Sequence, residues 1–550
     1  MNVMPDHRIR FRPVAEVPAP PVETGPGRLA RYVEDAAHYP GGRVRGVVRP
    51  ADAAEVSACL RDAAAAPHKG VPYGVLVVGA QSSLTGGATP FGDVVISTER
   101  LTRLSVTGDR VHAGAGVPLQ VLQETLAAHH RWFPPVPTYL GAFVGGAVAT
   151  CAAGAATFKY GTVRQWVDGL TIVLAGGDVL EIARGQVIAS AEGIFEIETS
   201  SGRRTIRVPP IHMPDVPKCS AGYFAAPGMD LIDLFIGSEG TLGVIVDAVL
   251  RTAPLPAATC RAFVPVASEV AAIALVNDLR DAARETWASR DPLGVDLAAI
   301  EHIDERSIAI IREDGVDRKL DITVPSSAGA LLMIEIELPA AIPHADLWHQ
   351  LESARDANAP DTPLVRLCRV LERHHALDDA EVALPGDTAR AAAFTELREA
   401  VPAGVNRRVG LAQRTIDARI SKTAADMIVP FDRFGDMMQI CRKLFAERDL
   451  DLAVWGHISD GNVHPNVIPR SADDVDRGRE AILALGREVI AMGGCPLAEH
   501  GVGRSPVKQQ LLCLLYGEAG VAAMRDVKRV LDPGAHLSPG VIFSDAPPDL

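Results

Sequence analysis

His457 and His464 flank an Asp-Gly pair in AVWGHISDGNVHPNVI (453–468), and that spacing is the first sign of chemistry in the chain. Asp-Gly favours a two-residue hairpin turn, and the residues around it suit strands. Counting outward from Asp460–Gly461, Ser459 faces Asn462, Ile458 faces Val463 and His457 faces His464. Directly opposed residues of an antiparallel pair share a face, with Cβ atoms about 5 Å apart. Two imidazoles so placed can chelate one divalent metal; two ordinary strand histidines beside a turn are the plainer alternative. Further along, GGCPLAEHGVGR (493–504) sets Glu499 and His500 in a Gly-flanked loop that would present both side chains into a cleft. Two histidines and one carboxylate leave coordination positions open, which suits a catalytic metal rather than a structural one.

The N-terminal half must then supply what the metal alone cannot. VRGVVRP reads as a short strand, ADAAEVSACLRDAAAA (51–66) as a helix and DVVISTERL (93–101) as another strand. Between them, GVLVVGAQSSLTGGATP runs a strand, Gly74–Val78, straight into a small-residue loop, Gly79–Thr89. A loop without bulky side chains leaves backbone N–H groups open to a diphosphate, and Ser82, Ser83 and Thr85 add hydroxyl donors. It is neither a GxGxxG dinucleotide loop nor a GxxxxGK[ST] phosphate loop; alone, it would read as a Gly-rich turn. Pro134–Gly161 is a second small-residue stretch, with Gly141, Gly145, Gly146, Ala152, Ala153 and Gly154, and suits backbone lying against a flat ligand. VDGLTIVLAGGDVLEI (167–182) reads as a hairpin, and DLIDLFIGSEGTLGVIVDAVL (230–250) places a third Gly-rich turn, 237–243, before a strand.

Taken in order, VVGAQSSLTGGA, PPVPTYLGAFVGGAVATCAAGAATFKYG and FIGSEGTLGVIV resemble the FAD-binding domain of the vanillyl-alcohol oxidase / p-cresol methylhydroxylase flavoprotein superfamily over about residues 45–254. GHISDGNVH and AEHGVG resemble the C-terminal domain of FAD-linked D-2-hydroxyacid dehydrogenases, the group that contains D-lactate, D-2-hydroxyglutarate and glycolate dehydrogenases. The resemblance implies an α+β chain. A two-lobed, PCMH-type FAD-binding domain (45–254) follows an N-terminal arm (1–44). An α+β substrate and metal-binding cap domain with a large antiparallel sheet spans 255–504, and a C-terminal segment (505–550) packs back on the FAD domain.

The same resemblance places cofactor contacts at Val78, Gly79, Ala80, Gln81, Ser82, Ser83 and Leu84, then at Pro135, Thr138, Gly141, Gly145, Gly146, Ala152 and Gly154. Tyr160, Gly161, Glu239, Gly240 and Ile245 complete that set. It implies His457, His464 and Glu499 as ligands of a divalent metal, zinc or manganese, with His500 as catalytic base. Arg398 in LREAVP, Lys422 in SKTAADMIVP and Asn466 are implied substrate contacts. Loop 79–89 holds no histidine for covalent attachment, so tightly bound, non-covalent FAD is expected. Four residues depart from the family's habit: Gln81 stands where Gly is usual, Cys151 and Ser538 where Asn is, and Ser459 where Gly is.

These parts imply oxidation of a D-2-hydroxy acid to a 2-oxo acid, with hydride passing to flavin N5 and an electron acceptor other than NAD. A flavin synthase without net oxidation, or an assembly subunit that kept the fold, are the alternatives; the His457, His464 and Glu499 set argues against both. The eight cysteines form no CxxC pair, which argues against an iron–sulfur relay or a disulfide scaffold. Reduced FAD would then pass electrons directly to a quinone, a cytochrome or an electron-transfer flavoprotein. The formal net charge is −14, so nucleic acid is not an expected partner. No apolar run in the opening residues suits a signal peptide, and a cytoplasmic chain, compatible with peripheral contact at the inner membrane, is the expectation. A homodimer is the assembly to test. Trp132–Phe158 is free of charge and longer than the ~20 residues a spanning helix needs, but its prolines and glycines break a continuous helix. Among the 49 glycines and 40 prolines, those clustered at 79–89, 134–161 and 237–243 are the informative ones.

Overall fold

A computed structural model of the chain describes residues 6–65, 73–340 and 346–544. Contacts divide it into two units: residues 1–154, 161–255 and 497–550 in one, 155–160 and 256–496 in the other. The first unit is built on three main sheets. Valine-rich runs buried on both faces suit parallel strands, and Arg43–Val48, Phe91–Ser97 and Val75–Val78 form a parallel sheet with Phe91–Ser97 in the middle. Helix Ala53–Ala65 takes the place of the expected 51–66 helix, whose Ala66 lies outside the described residues. Its Val56 and Leu60 pack with Val94, Ile96, Val173, Val179, Val244 and Leu537.

That core is shared with a five-stranded antiparallel sheet ordered Leu104–Thr107, Arg110–Gly114, Val244–Arg251, Val167–Val173, Val179–Ala183. The GGD turn closes its last hairpin with Val173 opposite Val179, and Gly177 takes φ +87°. The third sheet receives the N-terminal residues: Arg8–Arg10 pairs in parallel with Ile194–Thr199, whose other neighbour is Gly202–Arg207. The charge-free stretch from 132 to 158 contains the short helix Val144–Ala149. No helix among the described residues is long and apolar enough to cross a membrane.

The second unit is organised on one large antiparallel sheet. Its strands run Glu381–Ala383, Ala258–Val266, Ala330–Leu338, Asp296–Asp304, Leu452–Gly456, Asn462–Val467 and Thr423–Ala424, and Met427–Ile428 also pairs with Asn462–Val467. Helix Thr388–Thr415 starts where the Asp387 carboxylate accepts from Arg390 N, a normal N-cap. Phe394, Leu397, Val401 and Val405 recur at helical spacing and join Phe263, Ile303, Ile308 and Trp455 in the core. That burial fixes the helix's rotation and so the placement of the adjacent Arg398. Truncating fully buried Leu397 to alanine should cost about 2–5 kcal/mol of stability, read from the denaturation midpoint.

The hairpin at 453–468 differs from the sequence expectation. Trp455, not His457, opposes His464, and Val454 opposes Pro465. Ile458–Asp460 form a 3-10 turn, with Asp460 N donating to His457 O at 3.0 Å and Gly461 N to Ile458 O at 3.0 Å. The reason is burial: Ile458, Ser459 and Asp460 are all buried, and Ser459 Oγ accepts from Ile300 N at 3.2 Å. A two-residue turn would have left those groups at a hairpin tip. Gly461 at φ +85° is required in addition by close approach, since a Cβ there would lie 2.4 Å from Val429 O.

Candidate functional site

In the first unit, loop 79–89 follows strand Val75–Val78 directly. Among the described residues, the backbone N–H groups of Ala80, Gln81, Ser82 and Ser83 donate to no protein acceptor. Such a row of unspent donors fits a diphosphate. Ser83 Oγ instead supports the loop itself, accepting from Gly87 N at 3.2 Å. Gly79 packs on Phe143, and a Cβ added at Gly146 would meet nothing within 4 Å, so its face of the short helix is open. A Cβ at Gly145 would lie 2.6 Å from Ala115 Cβ, and one at Gly154 2.2 Å from Val136 O; these two glycines serve backbone packing. Pro135 and Ala152 are buried, Gly141 is half-buried, and Thr138 and Leu84 are exposed. Ile245 is buried beside a bulge in Val244–Arg251.

The Gly-rich segments are tied together. Glu239 N donates to Ala149 O at 2.8 Å and Gly237 N to Val148 O at 3.1 Å. Gly240, at φ +71°, lies under Ser538, whose Oγ donates to its carbonyl at 3.2 Å. Three of the four unusual residues occupy left-handed backbone: Gln81 at φ +55°, Cys151 at +49° and Ser538 at +44°. Gly and Asn are at home in that region, which gives the family's habit a physical cause. Gln81 offsets its strain by donating from its side chain to Glu34 O at 2.9 Å.

The segment before residue 44 was expected only as an arm, yet it braces this loop. Ala36 N donates to Gln81 O at 2.9 Å and Ala37 N to Ser83 O at 3.1 Å. The buried Asp35 carboxylate accepts from Ala37 N at 3.2 Å and Ala88 N at 3.4 Å. Burial raises the Asp35 carboxyl, against the lowering pull of Ser83 and Ala88. Asp35→Ala should weaken FAD binding about tenfold, in line with losing a hydrogen-bonding charge worth about 1.5–3 kcal/mol; equilibrium dialysis of the flavin checks it.

The Glu499–His500 loop also belongs to the first unit, because the return to that unit falls at Leu497 rather than at 505. Lys218, with a fully buried side chain, places Nζ 2.7 Å from Glu499 Oε2, and His500 Nε2 is 3.6 Å from Glu499 Oε1. No sequence motif pointed to Lys218. Glu239, expected at the cofactor, turns both carboxylate oxygens to this loop: Val502 N donates to Oε1 at 2.8 Å and Gly503 N to Oε2 at 2.9 Å. Burial pushes the Glu239 carboxyl up to about 7, against those two amides.

In the second unit, the rings of His457 and His464 lie 5.6 Å apart at 86°. Leaving the ladder at His457 has not separated the pair. His457 Nδ1 is 2.7 Å from Glu301 Oε1, and His464 Nδ1 is 3.4 Å from Asp426 Oδ1. A histidine that binds metal commonly turns its other nitrogen to a carboxylate, so the Nε2 atoms are the natural ligand atoms and the donor set fits a divalent cation. Glu301 and Asp426 escaped sequence reasoning because they sit on other strands and carry no local motif.

Arg398 is engaged too. Its Nε lies 3.1 Å from Glu301 Oε2 and its Nη1 2.6 Å from Glu399 Oε1. Burial alone would raise the Glu301 carboxyl, but Arg398 and His457 outweigh it and hold it at about 2. Asn466 is buried, donates from Nδ2 to His464 O at 2.9 Å and leaves Oδ1 without a hydrogen bond among the described residues. Lys422 is half-buried. Tyr160, an expected cofactor contact, groups with the second unit, where its hydroxyl is 2.5 Å from Glu337 Oε1; Gly161, at φ +72°, groups with the first.

Comparison with known proteins agrees with both halves. Residues 44–183 match the FAD binding domain, and residues 266–542 match the family described as FAD linked oxidases, C-terminal domain. The chain belongs to the FAD-linked oxidase family. It is an FAD-dependent oxidoreductase of mixed α and β structure. It is 25% identical over 529 residues to the glycolate oxidase subunit GlcD of Bacillus subtilis, covering 95% of this chain and 93% of that protein. It is 27% identical over 501 residues to a D-lactate dehydrogenase of Archaeoglobus fulgidus, covering 90% of each. Identity to a D-2-hydroxyglutarate dehydrogenase of Xanthomonas citri pv. viticola is 26% over 550 residues, covering 97% of each. Among solved structures, an alkyldihydroxyacetonephosphate synthase superposes with a TM-score of 0.53 at 14% identity, over 90% of this chain and 76% of that one. That likeness concerns the fold alone.

Proposed function

We propose that this FAD-linked oxidoreductase oxidises a D-2-hydroxy acid to the 2-oxo acid, with His457, His464 and Glu499 holding a divalent metal and His500 acting as base. The observation that carries the reading is the pair of imidazole rings 5.6 Å apart, each with Nδ1 facing a carboxylate of a neighbouring strand or loop. The relatives named for glycolate, D-lactate and D-2-hydroxyglutarate support the substrate class. When bound, FAD supplies the acceptor for the electrons lost from C2, and zinc or manganese supplies the charge that acidifies the substrate hydroxyl.

The chain's own residues do the rest. Glu301, 2.7 Å from Nδ1, fixes the tautomer and orientation of His457, and Asp426 lies 3.4 Å from His464 Nδ1, where its charge favours the ring. His500 takes the hydroxyl proton, a task for which an imidazole is suited near neutral pH. Arg398 has Nε and Nη1 engaged by Glu301 and Glu399, which leaves the two Nη2 hydrogens and one on Nη1 to face a substrate carboxylate, and Lys422 adds a second cation to that contact. Asn466 brings an amide whose second terminus is unspent. Electrons then leave for an acceptor other than NAD, a quinone, cytochrome or electron-transfer flavoprotein.

Anaerobic mixing of the yellow holoenzyme with enantiopure D- and L-lactate, glycolate, D-2-hydroxyglutarate and D-malate tests the reading. Bleaching of the flavin by at least one D-acid, and by neither L-lactate nor buffer, is expected. A flavin that stays oxidised with every acid would overturn it.

A further inference from the structure

We infer that Glu239 is a positioning residue for His500, holding the loop that carries this base rather than serving only the cofactor. The inference rests on the proposed role of His500 and adds a residue to that site. Both carboxylate oxygens of Glu239 are committed, one to Val502 N at 2.8 Å and the other to Gly503 N at 2.9 Å, directly after the His500–Gly501 pair. Losing either hydrogen bond leaves a backbone amide of this loop without its partner. Because the two fall on consecutive amides, they fix the direction of the backbone as well as its place.

The loop needs such a hold. Gly501 takes φ +75° and Gly503 φ +58°, and glycines in that region give the chain little conformational preference of its own. Gly501 is also where the loop meets the carboxylate most closely: a Cβ there would lie 2.9 Å from Glu239 Oε1 and 3.2 Å from Oε2. The far side is held by Lys508, whose Nζ donates to Gly501 O at 3.3 Å, and by Arg504 N donating to Thr85 O at 2.9 Å. The sequence thus places one acid between the FAD-binding loops and the base-bearing loop.

Glu239 itself is a non-glycine residue at φ +50°, flanked by Gly237 at +88° and Gly240 at +71°. A left-handed glutamate is strained, and strained residues persist where the surroundings over-determine them. What over-determines this one is the pair of amides it grips, together with its own N–H on Ala149 O at 2.8 Å. A glycine would fill the backbone position with less strain but could not reach Val502 and Gly503.

Glu239→Gln keeps the size and removes one acceptor. In the holoenzyme it should speed amide hydrogen exchange in a peptide covering 499–505 at least tenfold. It should lower kcat about 10- to 100-fold with KM within threefold, and leave bound flavin unchanged. Gly501→Ala, which crowds the same carboxylate from the other side, should reproduce the faster exchange and serves if the glutamine variant folds poorly. Unchanged exchange in both variants overturns the inference, as does loss of flavin from Glu239→Gln with exchange unaltered, which would make Glu239 a cofactor residue. Should no D-acid bleach the wild-type flavin, the substrate reading falls while hydrogen exchange still decides the clamp.

Discussion

Replacing His500 with alanine should lower kcat by about 10²- to 10⁴-fold, a loss of about 3–5 kcal/mol of transition-state stabilisation, while the protein stays yellow. The separation of the two effects follows from where the side chain and its backbone are held. The loop is fixed through its main chain, by Glu239 on Val502 and Gly503, by Thr85 on Arg504 and by Ile542 N on Gly503 O at 2.8 Å. None of those bonds uses the imidazole. The open N–H row at Ala80–Ser83 lies in another segment and should keep FAD in place. Flavin absorbance and anaerobic reduction rate, measured on the same sample, check the pair of outcomes. An alanine variant that reduces its flavin within threefold of the wild-type rate removes His500 from the role of base.

Much of this arrangement is legible in the sequence because local patterns encode it. The strand running into a Gly-rich loop at 74–89, the GGD hairpin at 174–178 and the Asp-Gly signal at 460–461 each depend on residues adjacent in the chain. The register of the histidine hairpin is not legible, because burial of Ile458 and Ser459 beneath Ile300 decides it, and Ile300 is far away in sequence. For the same reason Glu301, Asp426, Lys218 and Asp35 give no signal: a single acid or lysine becomes informative only once a distant strand sets a histidine or an amide beside it. The three left-handed residues show the opposite case. Gln81, Cys151 and Ser538 look like departures in the sequence and prove to be ordinary side chains holding positions that favour Gly or Asn. Glu239, expected at the cofactor, directs both carboxylate oxygens to Val502 N and Gly503 N, a contact that no local motif signals.

Removing both hairpin histidines should empty the proposed metal site without removing the flavin. Structural zinc sites with four protein ligands bind with about 10–16 kcal/mol, so each ligand accounts for about 3 kcal/mol. His464→Ala alone should then weaken metal binding by about a hundredfold, and His457→Ala with His464→Ala by about 10⁴-fold. Metal content after dialysis against a weak chelator reads both. Folding should survive, because neither buried carboxylate is stranded by the change. Glu301 retains Arg398 at 3.1 Å, and Asp426 still accepts from Asn462 Nδ2 at 3.1 Å; an orphaned buried charge would be far more disruptive. Glu301→Gln provides the internal scale. It leaves both imidazoles in place but loosens His457, so it should cost about 10- to 100-fold in metal affinity, between wild type and the double variant. If the double variant keeps the wild-type metal content, the imidazole pair is not the site, and the carboxylates facing Nδ1 serve only to neutralise a buried Arg398 and order the sheet.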